Sequence, residues 1–273
     1  MARGSTAARH CLTQCGGHAM ISSEFPLLLQ RSALLSQFPN IGVGMSTRQG
    51  EHPDAPFAYN LGYALGDDDT RVTGNIARYA EALGLLPEEL AVMRQVHGDT
   101  IRDVGEPGLY PDCDALVTSQ PRVGITVRTA DCAPVMLYAT DQQVIAAVHA
   151  GWRGTAAHVT AKTVAHLCDN YRVDPANIFA WIGPAARACC YDVGSEVAAL
   201  FPEEYLTRHD SGVRLDVQGL NAHQLIEAGV PADNIEIEGL CTIHERTLFH
   251  SWRRDAQRSG RMLSTIYLRD EIS

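Results

Sequence analysis

The stretch from Val144 to Thr155, VIAAVHAGWRGT, constrains this chain more than any other. Val144 to Val148 is a run of β-branched and small apolar residues, the pattern of a buried strand. The strand ends at His149. Two glycines then flank Trp152-Arg153, Thr155 reads as a helix N-cap, and TAAHVTAKTVAHLCDN continues with helical character to about Asn170. A histidine therefore sits where a buried strand gives way to a glycine-rich turn and a helix. Free backbone N–H groups at such a helix start, with Arg153 beside them, favour an anion. A tight strand-to-helix turn whose histidine only hydrogen-bonds its neighbours fits the same residues, and this stretch alone leaves both readings open.

The rest of the chain narrows the class. At 273 residues, 45% hydrophobic, it is long enough to bury a sizeable core. A net charge of −10 argues against a nucleic-acid or anionic-membrane partner. No run of 18 apolar residues marks a membrane span. The eight cysteines contain no C-x-x-C pair and are too sparse for a disulfide scaffold. They point to a reducing, cytoplasmic setting with cysteine as core filler or metal ligand. Residues 1–23 are small and polar without an apolar signal region. They read as a disordered extension, with Met20 as an alternative start and Cys11, Cys15 and His18 as incidental. Residues 24–273 read as one catalytic domain.

In chain order, Ile41 onward reads as a strand breaking into a turn at Arg48. That arginine is either a surface side chain or a bidentate clamp for phosphate or carboxylate. Pro53, Pro56, Tyr59, Asn60 and Gly62 read as an irregular loop. Asp67 to Asp69 read as a solvated cap on a helix from Thr70. Leu90 to Gly98 reads as a strand ending in His97, residues 105–114 as a loop, and Gly124 to Cys132 as a strand. Further strands are expected at Ala115–Thr118, Ile178–Ile182, Ile235–Ile237 and Leu263–Leu268. Helices are expected from Ser195 to Phe201 and from Leu220 to Ala228. Strands and helices mix without regular βαβ alternation, so the expected class is α+β.

Three of these strand ends carry soft or borderline metal ligands: His97, Cys132 and His149. Two imidazoles and one thiolate suit zinc in a catalytic arrangement, with a fourth position open to water or substrate. Copper accepts the same donors. Three separately buried residues remain the alternative. Cys189-Cys190 reads as core or incidental, because adjacent cysteines seldom bind one ion together.

Read together, STRQG, NLGYALGDD, QVHGDTI, DCDALVT, TADCAPVMLY, AAVHAGWRGT, WIGPAARACCYDVG, CTIHERTLFHSWRRD and SGRMLSTIYL resemble the YfiH family. These laccase-domain, or multicopper polyphenol oxidase-like, proteins are now regarded as purine nucleoside phosphorylases. The resemblance spans about Gly42 to Leu268. It implies a single mixed α/β domain, a layered α-β-β-α sandwich, with zinc held by His97, Cys132 and His149. It also implies phosphate-dependent cleavage of adenosine, inosine, guanosine and S-methyl-5′-thioadenosine, with adenosine deamination alongside. Arg48, from the STR motif, matches the pocket arginine. Asn60 and Arg153 are expected to bind substrate, and Asp131 is the nearest carboxylate for proton shuttling. Nucleosides and phosphate are the expected partners, on a monomer or homodimer. Two departures stand out: Ala185 replaces a frequent cysteine after Ile182-Gly183-Pro184, and His244 replaces one after Cys241, which leaves a second metal site there in doubt.

Other functions compete. A copper-dependent phenol oxidase needs many histidines in H-x-H pairs, and none occur here. A cysteine hydrolase would use Cys132 as nucleophile and His149 or His97 as base. A non-catalytic metal-binding partner protein would show no turnover. The deaminase signature H-x-E…P-C-x-x-C is absent, so any deamination uses another design.

Overall fold

The structure is a computed structural model that describes residues 27–50 and 57–270. The expected N-terminal extension, with Cys11, Cys15 and His18, lies outside the described residues, as do Pro53 and Pro56. In chain order the strands are β1 (Leu29–Gln30), β2 (Ile41–Ser46), β3 (Leu90–Arg94), β4 (Ile101–Asp103), β5 (Gly108–Pro111), β6 (Ala115–Thr118), β7 (Gly124–Thr129), and β8 (Ala133–Ala139). They continue with β9 (Val144–Ala150), β10 (Ile178–Ile182), β11 (Asp192–Val193), β12 (Leu206–His209), β13 (Gly212–Leu215), β14 (Ile235–Ile237) and β15 (Met262–Leu268). The α-helices are α1 (Asp69–Leu83), α2 (Trp152–Ala156), α3 (Val159–Tyr171), α4 (Ser195–Ala198), α5 (Val217–Glu227) and α6 (Trp252–Asp255).

Two six-stranded mixed sheets form the centre. One has the order β1-β2-β15-β7-β3-β5 and the other β14-β10-β8-β9-β6-β4. Strand alternation divides each strand's side chains between two cores. On β9, Ile145 and Ala147 join Met136 and Tyr138 of β8 in the layer between the sheets, against Val43, Met45, Met93, Ile125, Val127 and Ile266. Val144, Ala146, Val148 and Ala150 point the other way, to α3 and α5. Helix α1 covers the outer face of the first sheet through Tyr79, Ala80 and Leu83, against Leu90, Leu263 and Tyr267. The result is the expected α-β-β-α layering. A small sheet, β11-β13-β12, lies beside it.

Several local expectations change. The helix after β9 begins at Trp152 with Gly151 as N-cap, so Thr155 lies inside it. Thr155 instead accepts a hydrogen bond from Asn221 of α5 at 2.9 Å. The helical run breaks at His158, whose left-handed backbone (φ +59°) starts α3 on a new axis. Strand β3 stops at Arg94 and β7 at Thr129, which leaves His97 and Cys132 on the turns beyond. The expected 105–114 loop contains β5, an edge strand parallel to β3. The β12–β13 hairpin escapes the sequence pattern. Asp67 is no solvated cap: its side chain is 1% exposed, pairs with Arg71 and accepts from Asn60. Asp68 is the N-cap of α1, accepting from the Arg71 N–H.

Met136 is fully enclosed between the two sheets. Met136→Ala is expected to lose roughly 2–5 kcal/mol of stability, lowering the thermal midpoint by about 5–15 °C as followed by circular dichroism.

Candidate active site

The two large sheets open at one end. Cys132 immediately precedes β8 and His149 is the penultimate residue of β9; Pro134 and His149 are cross-strand partners. By alternation both ligands continue the inter-sheet face of their strands, in the positions that Met136 and Ala147 occupy deeper in the core. His97 joins them from the turn after β3. The ligand atoms of His97, Cys132 and His149 all lie within 4.8 Å of one another. The two imidazoles meet edge to face with ring centroids 4.9 Å apart. His149 is buried, Cys132 half-buried and His97 exposed at the mouth.

Asp114, fully buried, arranges this group. Its Oδ1 is 2.7 Å from His149 Nδ1 and accepts the His97 N–H at 3.0 Å; its Oδ2 accepts the N–H groups of Val96 and Gly98. A carboxylate on Nδ1 leaves Nε2 of His149 for a metal, the arrangement found where histidine binds zinc. The same carboxylate holds the His97 turn, where His97 has a left-handed φ of +61°. Gly151 keeps the space open: a Cβ there would lie 3.0 Å from Cys132 Sγ and 3.3 Å from His97 Cδ2.

The electrostatics favour ligation. Burial pushes the Cys132 thiol up, but His149 and His97 outweigh it and bring it down to about 6. Burial pulls His149 down, but Cys132 and Asp114 raise it to about 9. Each shift favours the charged form of its group, thiolate for Cys132 and imidazolium for His149. The donor set, its spacing and the Asp114 brace fit zinc.

A cavity of about 410 Å³ surrounds the three ligands, lined also by Gln95, Arg128, Asp131, Trp152, Arg153, Tyr191, Trp252, Arg253 and Arg261. Four arginines among the lining residues give the cavity a positive character suited to an anion. Burial lowers the Arg128 pKa from its usual value. Burial first, and then repulsion from Arg128, lower that of Arg261. An anion would relieve both. Arg153 stacks over Trp152 at 4.1 Å and Arg253 over Tyr191 at 4.8 Å, which fixes their guanidinium planes.

Of the residues singled out in the sequence, His97, Cys132 and His149 come together, and Asp131 and Arg153 line their cavity. Asp131 has a left-handed backbone (φ +88°), and its carboxylate accepts from the hydroxyls of Thr242 and Ser251 and the Arg253 N–H. Those bonds anchor the turn that presents Cys132. Arg48 and Asn60 are not among the lining residues. Arg48 donates to the Arg246 carbonyl, because the turn after β2 folds against the 246–248 segment. Asn60 is fully buried and spends its amide on Gly62, Asp67 and the Arg261 N–H. Asp114, Arg128, Tyr191, Arg253 and Arg261 were not anticipated. The sequence signal for Arg128 is a charge inside an otherwise β-branched strand, GITVRT.

Comparison with known proteins agrees with this architecture. The family model described as multi-copper polyphenol oxidoreductase laccase matches residues 42–269. The chain belongs to that family. A relative named purine nucleoside phosphorylase YlmD, from Geobacillus stearothermophilus, is 34% identical over 253 residues, covering 86% of this chain and 92% of the relative. A purine nucleoside phosphorylase of Deinococcus radiodurans is 37% identical over 243 residues, with the same coverages of 86% and 92%. The crystal structure of YlmD from Geobacillus stearothermophilus superposes with a TM-score of 0.82 at 32% identity, over 90% of this chain and all of that one. The YfiH protein of Bacillus licheniformis gives 0.80 at 31% identity, over 84% and 93%. Among the described residues of this laccase-domain chain, no helix is long and apolar enough to cross a membrane.

Asp114→Asn is expected to weaken zinc binding about 10–100-fold while preserving the fold, measured by competition with a chromophoric chelator. Zinc binding should release protons. Between pH 6 and 9 the His149 proton is displaced, so about one proton is released per ion. Below pH 6 the Cys132 proton competes as well, and affinity falls more steeply. Calorimetry in buffers of different ionisation enthalpy reads both regimes.

Proposed function

We propose that this laccase-domain chain is a zinc-dependent purine nucleoside phosphorylase. The observation that carries the reading is the convergence of a His2Cys donor set and four arginines on one cavity. The names of the relatives support it. The substrates are adenosine, inosine, guanosine and S-methyl-5′-thioadenosine, with inorganic phosphate as co-substrate and adenosine deamination as a side activity.

His97, Cys132 and His149 would hold the zinc, which when bound supplies a fixed positive charge and a Lewis-acid position. Arg128, Arg153, Arg253 and Arg261 hold phosphate by charge-assisted hydrogen bonds and set its direction of approach. Trp252, partly exposed at the mouth, and Tyr191 offer ring faces to the purine. A phosphate oxygen forms the new bond to C1′ as the bond from C1′ to the purine nitrogen breaks. The electron pair leaves with the purine, which takes up a proton, and ribose 1-phosphate remains. Burial raises the Tyr191 hydroxyl to about 12 and keeps it a hydrogen-bond donor at neutral pH, suited to the departing base.

One observation favours a second reading. The Cys132 sulfur and a His149 ring nitrogen lie within 4.8 Å of each other, the pairing of nucleophile and base that a cysteine hydrolase uses. Removing the metal separates the two, because only a cysteine nucleophile would leave the metal-free protein active, and alkylation would then abolish that activity.

Adenosine and phosphate should yield adenine and ribose 1-phosphate by chromatography, and chelation or Cys132→Ala should abolish the products. Arg128→Ala and Arg261→Ala should each raise the phosphate KM roughly 10–100-fold, the equivalent of losing one charged hydrogen bond of about 1.5–3 kcal/mol. Full phosphorolysis by Cys132→Ala would overturn the zinc reading. Turnover that ignores phosphate would overturn phosphorolysis.

A further inference from the structure

Behind the cavity wall lies a second group of soft ligands. Cys189 and Cys190 sit on a turn with their sulfurs 3.5 Å apart. Cys241 reaches them from a distant part of the chain, and all three sulfurs lie within 4.8 Å of one another. Cys241 is buried, Cys190 half-buried and Cys189 exposed, and all three are free thiols. The sequence argument against adjacent cysteines did not include this third sulfur, which only tertiary structure supplies.

The sulfurs are prepared unequally. Burial pushes Cys241 up, but backbone N–H groups of Arg187, His244 and Ile243 bond to its sulfur and bring it below the usual thiol value. Burial and the neighbouring thiols push Cys189 up to about 12. One thiolate forms readily, and the next two repel it unless a cation joins them. Among the described residues no fourth histidine, cysteine or carboxylate belongs to the group, which leaves the remaining position to solvent on the Cys189 side.

We infer that Cys189, Cys190 and Cys241 bind one thiophilic d10 ion, Zn2+ or Cu+, at a site separate from His97, Cys132 and His149. Three sulfurs with one open position suit both ions. The ion displaces the thiol protons to solvent and links the 185–191 segment to the 241–245 segment. Those segments hold the turn that carries Cys132. The Ala186 N–H donates to the Asp131 carbonyl, Thr242 Oγ1 donates to the Asp131 carboxylate at 2.7 Å, and the Thr242 N–H donates to the Ala185 carbonyl. The role is structural, a clip one layer behind the cavity.

The test is an anaerobic titration of the fully reduced full-length chain, with Zn2+ in one arm and Cu+ in the other, each against a chromophoric competitor. The expected result is two bound equivalents for at least one ion, falling to one in the Cys189→Ser, Cys190→Ser double variant. The arm that shows the second equivalent identifies the ion. With Cd2+ as probe, the thiolate-to-metal absorption should fall to about a quarter, one thiolate of four, in a chain that also carries Cys241→Ser. Cys189→Ser alone changes an exposed side chain and keeps the test open if the buried Cys241→Ser does not fold; it should weaken the second equivalent at least tenfold. A single equivalent in the wild-type chain in both arms, or two equivalents retained in the double variant, would overturn the inference.

Discussion

The buried carboxylate of Asp114 is the interaction on which the site depends. It contacts the His149 ring and three consecutive backbone N–H groups of the His97 turn, so one residue aligns ligands that are far apart in the chain. An ionised carboxylate in the interior is costly unless its oxygens are filled. Here four donors fill them. Burial pushes Asp114 up, but His149 and the Gly98 and Val96 amides outweigh it and hold it below the usual carboxylate range. The stable charge in turn orients His149 through Nδ1, which leaves Nε2 for the ligand set.

The sandwich supplies what Asp114 cannot. Two sheets that share one apolar layer separate at one end, and strand alternation carries the inter-sheet face of β8 and β9 onto Cys132 and His149. The strand ends that border the opening also bring Arg128 and Arg261, because Thr129 pairs with Met262 across β7 and β15. The anion pocket thus follows from strand register. Left-handed backbone at His97 and Asp131 marks the two turns that hold ligands, strain of the kind that surrounding hydrogen bonds sustain at functional sites.

Much of this was legible in the chain. The apolar run Val144–Val148 ending in histidine identified the central strand, and the soft residues at three strand ends singled out the three side chains that the fold brings together. Element boundaries were less legible. The Thr155 cap failed because the glycine before Trp152 already provides the extended backbone of an N-cap. The acidic cluster at Asp67–Asp69 looked solvated because its partners, Asn60 and Arg71, lie on separate turns of the same region. Of the adjacent pair Arg253-Arg254, only Arg253 lines the cavity; Arg254 donates to the carbonyls of Thr242, Ile243 and Phe249. No local pattern separates two neighbouring arginines whose partners are remote.

The sequence by itself determined the α+β class, the principal strands and the three metal-ligand candidates, because periodicity and residue chemistry are local properties; the layering was implied only by the family resemblance. Tertiary structure decided which polar side chains meet: Asp114 with His149, Asp131 with Thr242 and Ser251, four arginines around one cavity, and Cys241 with Cys189-Cys190. The physical reason is that a hydrogen bond or a ligand set forms at about 3–5 Å in space, a distance that strand register and the packing of two sheets set between residues far apart in the chain.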